Sequence, residues 1–333
     1  MITSHGGATR SPIGPARRTS YRSARNGLTR GILGELTILP GTYTAGVSAA
    51  VPISELNEDR VVEQVFAVAR KQHLQTRSGT PYLALELVDR SGRIDARIWE
   101  DVELLGHRFD VGDAVRVLGR VSRFRDRLQL DVRSLERAEV DPGTLVPEAR
   151  RDLDELDGFL EFLAAEISHD DLRAVVGRFL ADGEVRMRLR QLPATPEGHH
   201  SYAGGLLEHT VNVATLCRET ASVHPRLRAD LLLAAALLHD VGRIRELDRG
   251  PLFLPTHEGR LLGHVHLGLR LIEEGAAGVA LDPEVRAELL HAVAAHHDAR
   301  GARTAEASVL YHANQLDAVA ATRPVEPVPA DPR

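Results

Sequence analysis

The chain has 333 residues, 43% of them apolar, and a formal net charge of -6. That length suits two domains with ample cores, and the charge excludes a uniformly basic nucleic-acid coat while leaving room for a local basic surface. A single cysteine, Cys217, excludes an intrachain disulfide, and no apolar run has the length of a membrane span or the form of a secretion signal, so a reducing, cytoplasmic setting is expected.

Residues 1–58 read as a disordered basic tail and lead-in, rich in Gly, Ser, Thr and Arg. Arg10, Arg17, Arg18, Arg22, Arg25 and Arg30 meet no acidic residue before Glu35. The tail either adds weak attraction for nucleic acid or is an inert extension.

Residues 59–140 read as strands. VVEQVFAVARKQHLQT alternates, RSGTP turns, YLALELVD alternates and ends at the hairpin signal Asp89-Arg90-Ser91-Gly92, and RIDARIW follows. EDVELLGHRF suits a short helix, and VGDAVRVLGRVSRF and RDRLQLDVRSLERAEV supply two more strands. Five short strands predict a small closed barrel. Their order, with GTPYLALELVDRSGRIDARIW and FDVGDAVRVLGRV, resembles the OB-fold of the tRNA-anticodon-binding type. That resemblance implies a barrel holding single-stranded nucleic acid. Phe66, Tyr82, Trp99 and Phe124 are candidates to stack on bases, and Arg97, Arg123 and Arg125, with Arg120 and Arg127, to track phosphates. The alternative for each aromatic is a place in the barrel core.

Residues 141–151 form a Pro-containing linker. Residues 152–322 then read as helical, with DLDELDGFLEFLAAEIS and DDLRAVVGRFLADGEVRMRLRQ amphipathic and Asp170 or Asp171 suited to an N-cap. Residues 323–333 are a Pro-rich tail. Histidine is concentrated in the helical region: of sixteen, only His5, His73, His107 and His169 precede residue 199.

LLLAAALLHDVGR, Leu231 to Arg243, predicts a buried helix ending in His239 and Asp240, with Gly242 as its stop. A carboxylate there is costly unless paired. A cation that takes imidazole and carboxylate would pair with both residues, and a His–Asp hydrogen bond closing the helix is the alternative. Other helices repeat the motif of a polar group on an apolar arc. His209 shares its arc with Leu206, Val213 and Leu216. His264 lies among Leu261, Val265, Gly268 and Leu271, whereas His266 falls with Arg270 and Glu273. His296 and His297 follow Val293, and Asp317 sits amid Leu310, Ala313, Ala320 and Ala321. Buried polar groups need partners, and one shared metal cluster would satisfy them together.

The ordered series H…HD…H…HH…D resembles the HD superfamily of metal-dependent phosphohydrolases. HHSYAGGLLEHT, LLHDVGRIREL, EGRLLGHVHLG, AAHHD and a final helix with QLDA resemble the YhaM-type 3'-5' exoribonucleases, which carry an OB-fold ahead of the HD domain. The resemblance spans roughly residues 60–322. It implies that His209, His239, Asp240 and Asp317 hold one metal, and that Asp240 bridges to a second held by His264 and by His296 or His297. His296 is the first choice, with His297 a second ligand or an outer-shell partner. Mn is the first choice of metal, with Fe, Co, Zn and Mg as alternatives. Asp240 is then the central catalytic residue of a two-metal phosphodiester hydrolysis that frees nucleoside monophosphates from single-stranded RNA, with DNA as an alternative substrate. His199, His200 and Arg243 are candidates to contact the phosphate or terminal nucleotide; His199 or His200 capping the next turn is the alternative. Many family members have Lys at the place of Arg243, and an arginine does not serve as a general acid. Two other readings stand beside this one: hydrolysis of a small nucleotide or phosphoester with the barrel in a regulatory or assembly role, and an RNA-binding protein with a structural metal. Assembly into a homo-oligomer is compatible with the Leu-rich helical surface.

Overall fold

A computed structural model of the protein describes residues 50–141 and 143–322. The tail expected at the N-terminus, up to residue 49, and the Pro-rich stretch 323–333 lie outside the described residues.

Strands β1 (Val61–Gln75), β2 (Pro81–Asp89), β3 (Gly92–Ile98), β4 (Ala114–Phe124) and β5 (Arg127–Arg137) form a closed barrel in the order β1-β2-β3-β5-β4, with the short helix α1 (Val102–Gly106) between β3 and β4. Closure requires β1 to serve two neighbours. Its first half pairs with β4, from Val61↔Arg120 to Ala67↔Ala114, and its second half with β2, ending at Gln75↔Pro81. An irregularity between Val68 and Arg70 marks the change, as expected where a bulge bends a strand. Only β3 and β5 run parallel. The β2–β3 hairpin is tied by Asp89, whose Oδ1 accepts from the Ser91 and Gly92 N–H groups at 2.7 and 3.0 Å. Alternate residues fill the core, among them Leu83, Leu85, Leu87, Ile98, Val115, Val117 and Leu130. Phe66 belongs to that core at 0% exposure, so it is a packing residue and not a base-stacking one. It faces inward because the apolar phase of β1 points into the barrel.

The helical region comprises α2 (Leu153–Ala165), α3 (Asp170–Ala181), α4 (Gly183–Gln191), α5 (Gly205–Val223), α6 (Ala229–Leu238), α7 (Arg243–Glu246), α8 (His257–Ala276), α9 (Pro283–Ala295) and α10 (Ala305–Thr322). All of Leu231–Leu238 in α6 is buried, as befits a helix apolar on every side. Neighbouring helices wrap it in one continuous core. Three details differ from the sequence expectation. The cap of α3 is His169, whose Nδ1 accepts from the Leu172 N–H at 3.5 Å; Asp170 and Asp171 lie in the first turn, where their charge suits the helix dipole. Asp182 is extended and caps α4, so the stretch from Asp170 to Gln191 divides into two helices. In α8, Gly263 breaks the helix with φ 69° and ψ 164°, so Leu261 does not share the arc of His264 and is 71% exposed.

The loop between α7 and α8 touches the barrel. Leu252 packs on a small cluster of Ala67, Ala114 and Leu145, and a Cβ at Gly112, where φ is +95°, would come within 2.5 Å of Leu254 Cδ1. No helix among the described residues is long and apolar enough to cross a membrane.

Candidate metal centre

Five helix-borne segments converge beside the buried end of α6. His209 comes from the inner face of α5, His239 and Asp240 follow α6, His264 comes from α8, His296 and His297 follow α9, and Asp317 comes from α10. Gly242 is not the stop that ends α6. Its φ is −63°, and a Cβ there would lie 1.9 Å from His264 O and 2.5 Å from Gly268 N. The glycine is needed because the α8 backbone passes directly over it.

Asp240 lies between two groups of imidazoles. Its Oδ2 is 3.8 Å from His239 Nε2 and 3.9 Å from His209 Nε2. Its Oδ1 is 3.4 Å from His264 Nε2 and 3.5 Å from His296 Nε2. His297 joins the second group, its Nε2 being 3.0 Å from His264 Nε2. Asp317 stands behind His209: Oδ2 is 2.6 Å from His209 Nδ1 and 2.8 Å from His200 Nε2, and Oδ1 accepts from Asn212 Nδ2 at 2.9 Å. Asp317 thus groups with His200 and His209, and the set of His209, His239 and Asp240 forms beside it.

The donor set fits a divalent cation. His239 Nδ1 donates to Ala236 O at 2.7 Å and His296 Nδ1 to Val293 O at 2.5 Å, so each ring keeps its Nε2 lone pair for the interior. His209 Nδ1 likewise faces a carboxylate. The His209 and His239 Nε2 atoms then oppose each other at 3.2 Å, lone pair against lone pair. Asp240 Oδ1 and His296 Nε2 are buried and have no hydrogen-bond partner. Imidazoles anchored through their far nitrogen, with an orphaned carboxylate oxygen between them, are the usual surroundings of a transition metal.

Burial pushes the His239 imidazole down to about 3, and burial followed by the charge of His296 does the same to His297, also to about 3. Burial, then His209, takes His199 down to about 4. Burial works against the charge of Asp240, yet Arg243, His239 and His264 hold its carboxyl well below the ordinary range. Asp317 is also held low, because hydrogen bonds from His200 and His209 outweigh burial. Below pH 6.5 the unfolded imidazoles bind protons that the folded ones refuse. Stability is therefore complete above that pH and is lost as pH falls towards 4, by about 1.4 kcal/mol per pH unit for His239 alone. Asp240 adds a loss of the same sign below 3.8, its ordinary value. Urea unfolding of metal-stripped protein between pH 7.5 and 4.5 checks this; a flat midpoint across that interval would contradict buried, neutral rings.

Of the residues expected to meet substrate, His199 is half-buried with its ring centroid 5.0 Å from that of His209. His200 is buried with both ring nitrogens engaged, Nε2 by Asp317 and Nδ1 by Tyr202 Oη at 2.5 Å. Arg243 is buried, with Nε 3.6 Å from Asp240 Oδ2 and Nη1 donating to Glu246 Oε2 at 2.6 Å. On the barrel, Tyr82 and Trp99 stack at 4.8 Å between centroids, with Trp99 45% exposed. Phe124 is exposed beside Arg125 at the β4–β5 turn. Arg97 Nη1 donates to Ala96 O, and Arg123 Nε pairs with Glu58 at 3.0 Å. Sequence reasoning missed Asn212, Asn314, Tyr202, Glu208 and Glu246. Asn314 Nδ2 donates to His296 O at 3.1 Å, and the Tyr202 hydroxyl to Glu208 Oε2 at 2.9 Å. Asn212 and Asn314 carried a signal, each standing three residues from a site residue on its own helix.

Comparison with known proteins agrees with this division. The HD domain family model matches residues 206–319, and the OB-fold nucleic acid binding domain model matches residues 66–138. The protein is therefore an HD-domain protein with an OB-fold ahead of it. Within that class the chain is similar to proteins named 3'-5' exoribonuclease YhaM. It is 27% identical over 293 residues to the 3'-5' exoribonuclease YhaM of Bacillus velezensis, covering 82% of this chain and 88% of that one. It is 27% identical over 283 residues to the protein of that name from Bacillus subtilis, with the same coverage. The Geobacillus sp. relative is 29% identical, covering 72% of this chain and 77% of its own. A solved OB-fold domain of replication protein A from Methanococcus maripaludis covers 28% of this chain and 97% of that one at 23% identity, with a TM-score of 0.23, too slight a likeness to add to the fold described above.

Proposed function

We propose that this protein is a divalent-metal-dependent 3'-5' exoribonuclease that frees nucleoside monophosphates from single-stranded RNA, with single-stranded DNA as a second substrate. The barrel domain (59–140) holds the strand, residues 141–151 link it, and the helical domain (152–322) hydrolyses the end. The observation that carries the reading is the buried Asp240 carboxylate, flanked by imidazole groups on both sides and left with Oδ1 unpartnered. The names of its curated relatives point the same way.

A pair of divalent cations, Mn first, held by His209, His239 and Asp240, with Asp317 backing His209 instead of joining it as the resemblance implies, and by Asp240, His264, His296 and His297, would activate a water and take up charge that builds on the phosphoryl oxygens. The protein's own part is positional. Asp240 presents one oxygen to each imidazole group. Ala236 O, Val293 O and Asp317 fix the tautomers of His239, His296 and His209. Arg243 brings a permanent positive charge to the flank of Asp240 and gives up no proton, so the leaving oxygen is protonated by another group. His199, half-buried beside His209, would contact the terminal phosphate. The exposed Tyr82–Trp99 stack, with Phe124, offers ring faces to unstacked bases, and Arg97, Arg123 and Arg125 offer charge to the backbone.

Incubation of the full chain with a 5'-labelled oligoribonucleotide and Mn²⁺ tests this. A ladder shortened from the 3' end is expected, with nucleoside monophosphates as product, abolished by EDTA and restored by Mn²⁺. Trp99→Ala is expected to weaken RNA binding by about 5- to 100-fold, since one stacked base contributes about 1–3 kcal/mol. Absence of shortening with Mn, Fe, Co, Zn and Mg alike refutes the proposal. Release of phosphate from free nucleotides in preference to the oligonucleotide transfers it to the small-nucleotide reading.

A further inference from the structure

Gly263 interrupts α8 at φ 69° and ψ 164°, a conformation almost confined to glycine, although a Cβ there would meet nothing within 4 Å. Backbone shape, not space, demands this glycine. The break turns the next N–H out of the helix: His264 N donates to Glu246 Oε1 at 3.1 Å. The same oxygen stands 3.5 Å from His264 Nδ1. The other, Oε2, accepts from Arg243 Nη1 at 2.6 Å. Glu246 is itself fixed, because its carbonyl accepts from Thr256 N at 2.8 Å and Gly259 packs so closely that a Cβ would fall 2.2 Å from that carbonyl oxygen.

Two consequences meet at Asp240. With Nδ1 turned to a carboxylate, His264 directs Nε2 at Asp240 Oδ1, 3.4 Å away. With Nη1 held by Glu246, the Arg243 guanidinium is restrained 3.6 Å from Asp240 Oδ2. Without Glu246 that charge is free to close on Asp240 and compete with a cation for its oxygen.

We infer that Glu246 is a positioning residue of the metal centre: it orients His264 through backbone and ring together, and it holds Arg243 off Asp240 so that the carboxylate stays open to a divalent cation. The inference rests on the reading above, that Asp240 and His264 take such a cation.

The test is Co²⁺ titration of the metal-free full chain, followed by calorimetry and by visible absorption, which reports the ligand field and not turnover. Relative to the unaltered protein, Glu246→Ala is expected to weaken Co²⁺ binding by about 10- to 100-fold and to change the spectrum, as loss of an outer-shell carboxylate does. Glu246→Gln keeps an acceptor for the His264 N–H but not the negative charge, and is expected to fall between the two. It carries the test if the alanine variant does not fold. Adding Arg243→Ala to Glu246→Ala is expected to recover part of the affinity, which a merely structural role would not produce. Unchanged affinity and spectrum in both single variants overturn the inference. Failure of the unaltered protein to bind Co²⁺ overturns the underlying reading instead.

Discussion

Asp240→Asn is expected to abolish strand shortening, by about 1000-fold or more, while leaving the fold in place. The carboxylate is 3% exposed, lies among four imidazole Nε2 atoms, and is the one group shared by the His209–His239 set and the His264–His296–His297 set. An asparagine fits the same space but would turn an amide donor or a neutral oxygen towards any bound cation. Loss of one preorganised electrostatic contact at a reaction centre typically costs 10²–10³-fold, or about 3–4 kcal/mol, and here one residue serves both groups. Metal binding reports the same change. Ligands that bind only the native state raise its melting temperature, so the rise produced by Mn²⁺ in the unaltered protein is expected to vanish in Asp240→Asn. Thermal melts with and without Mn²⁺, beside the cleavage assay, check both; a variant that still shortens RNA at more than a tenth of the native rate refutes the role.

Gly242→Ala is expected to destabilise the protein by about 3 kcal/mol and to impair metal binding through His264. Alanine should otherwise be welcome: φ −63° and ψ −19° are helical, and helix propensity favours it over glycine by about 1 kcal/mol. The added carbon, however, would meet His264 O at 1.9 Å and Gly268 N at 2.5 Å, and backbone atoms cannot rotate aside. Relief requires α8 to retreat, taking His264 with it. Gly158→Ala is the control, since it lies in α2 with nothing within 4 Å of the new carbon and is expected to be neutral or slightly stabilising. Urea midpoints and Co²⁺ affinity for the two variants measure the difference; equal midpoints would show that α8 yields at little cost.

The barrel was legible because strand alternation and turn chemistry are local. Asp89-Arg90-Ser91-Gly92 announced a hairpin through the same side-chain hydrogen bonds that the structure displays. Most of the helical site was legible for a related reason: a polar residue on an apolar arc must be buried, and His209, His239, His296 and Asp317 all are. Gly242 reads as a helix stop in the sequence because a glycine after a leucine-rich run looks the same whether it ends a helix or lets another backbone pass, and only tertiary contact separates the two. The periodicity puts His264 on an unbroken arc because nothing in it marks the turn at Gly263. Glu246 carried no local signal, since its partner His264 lies 18 residues further on, beyond a loop. Phe66 shows the limit for aromatics, where core and surface positions of a small barrel share one alternation.

The segment from Leu247 to Pro255 works as a strut. One end begins at the carboxylate that holds Arg243, the other leads into the helix of His264, and its middle is wedged by Leu252 and Leu254 against the base of the barrel. Severing the helical half at residue 152 would strip the backing from this strut and bare its leucines. The barrel thereby buttresses the segment that joins Glu246 to the helix of His264.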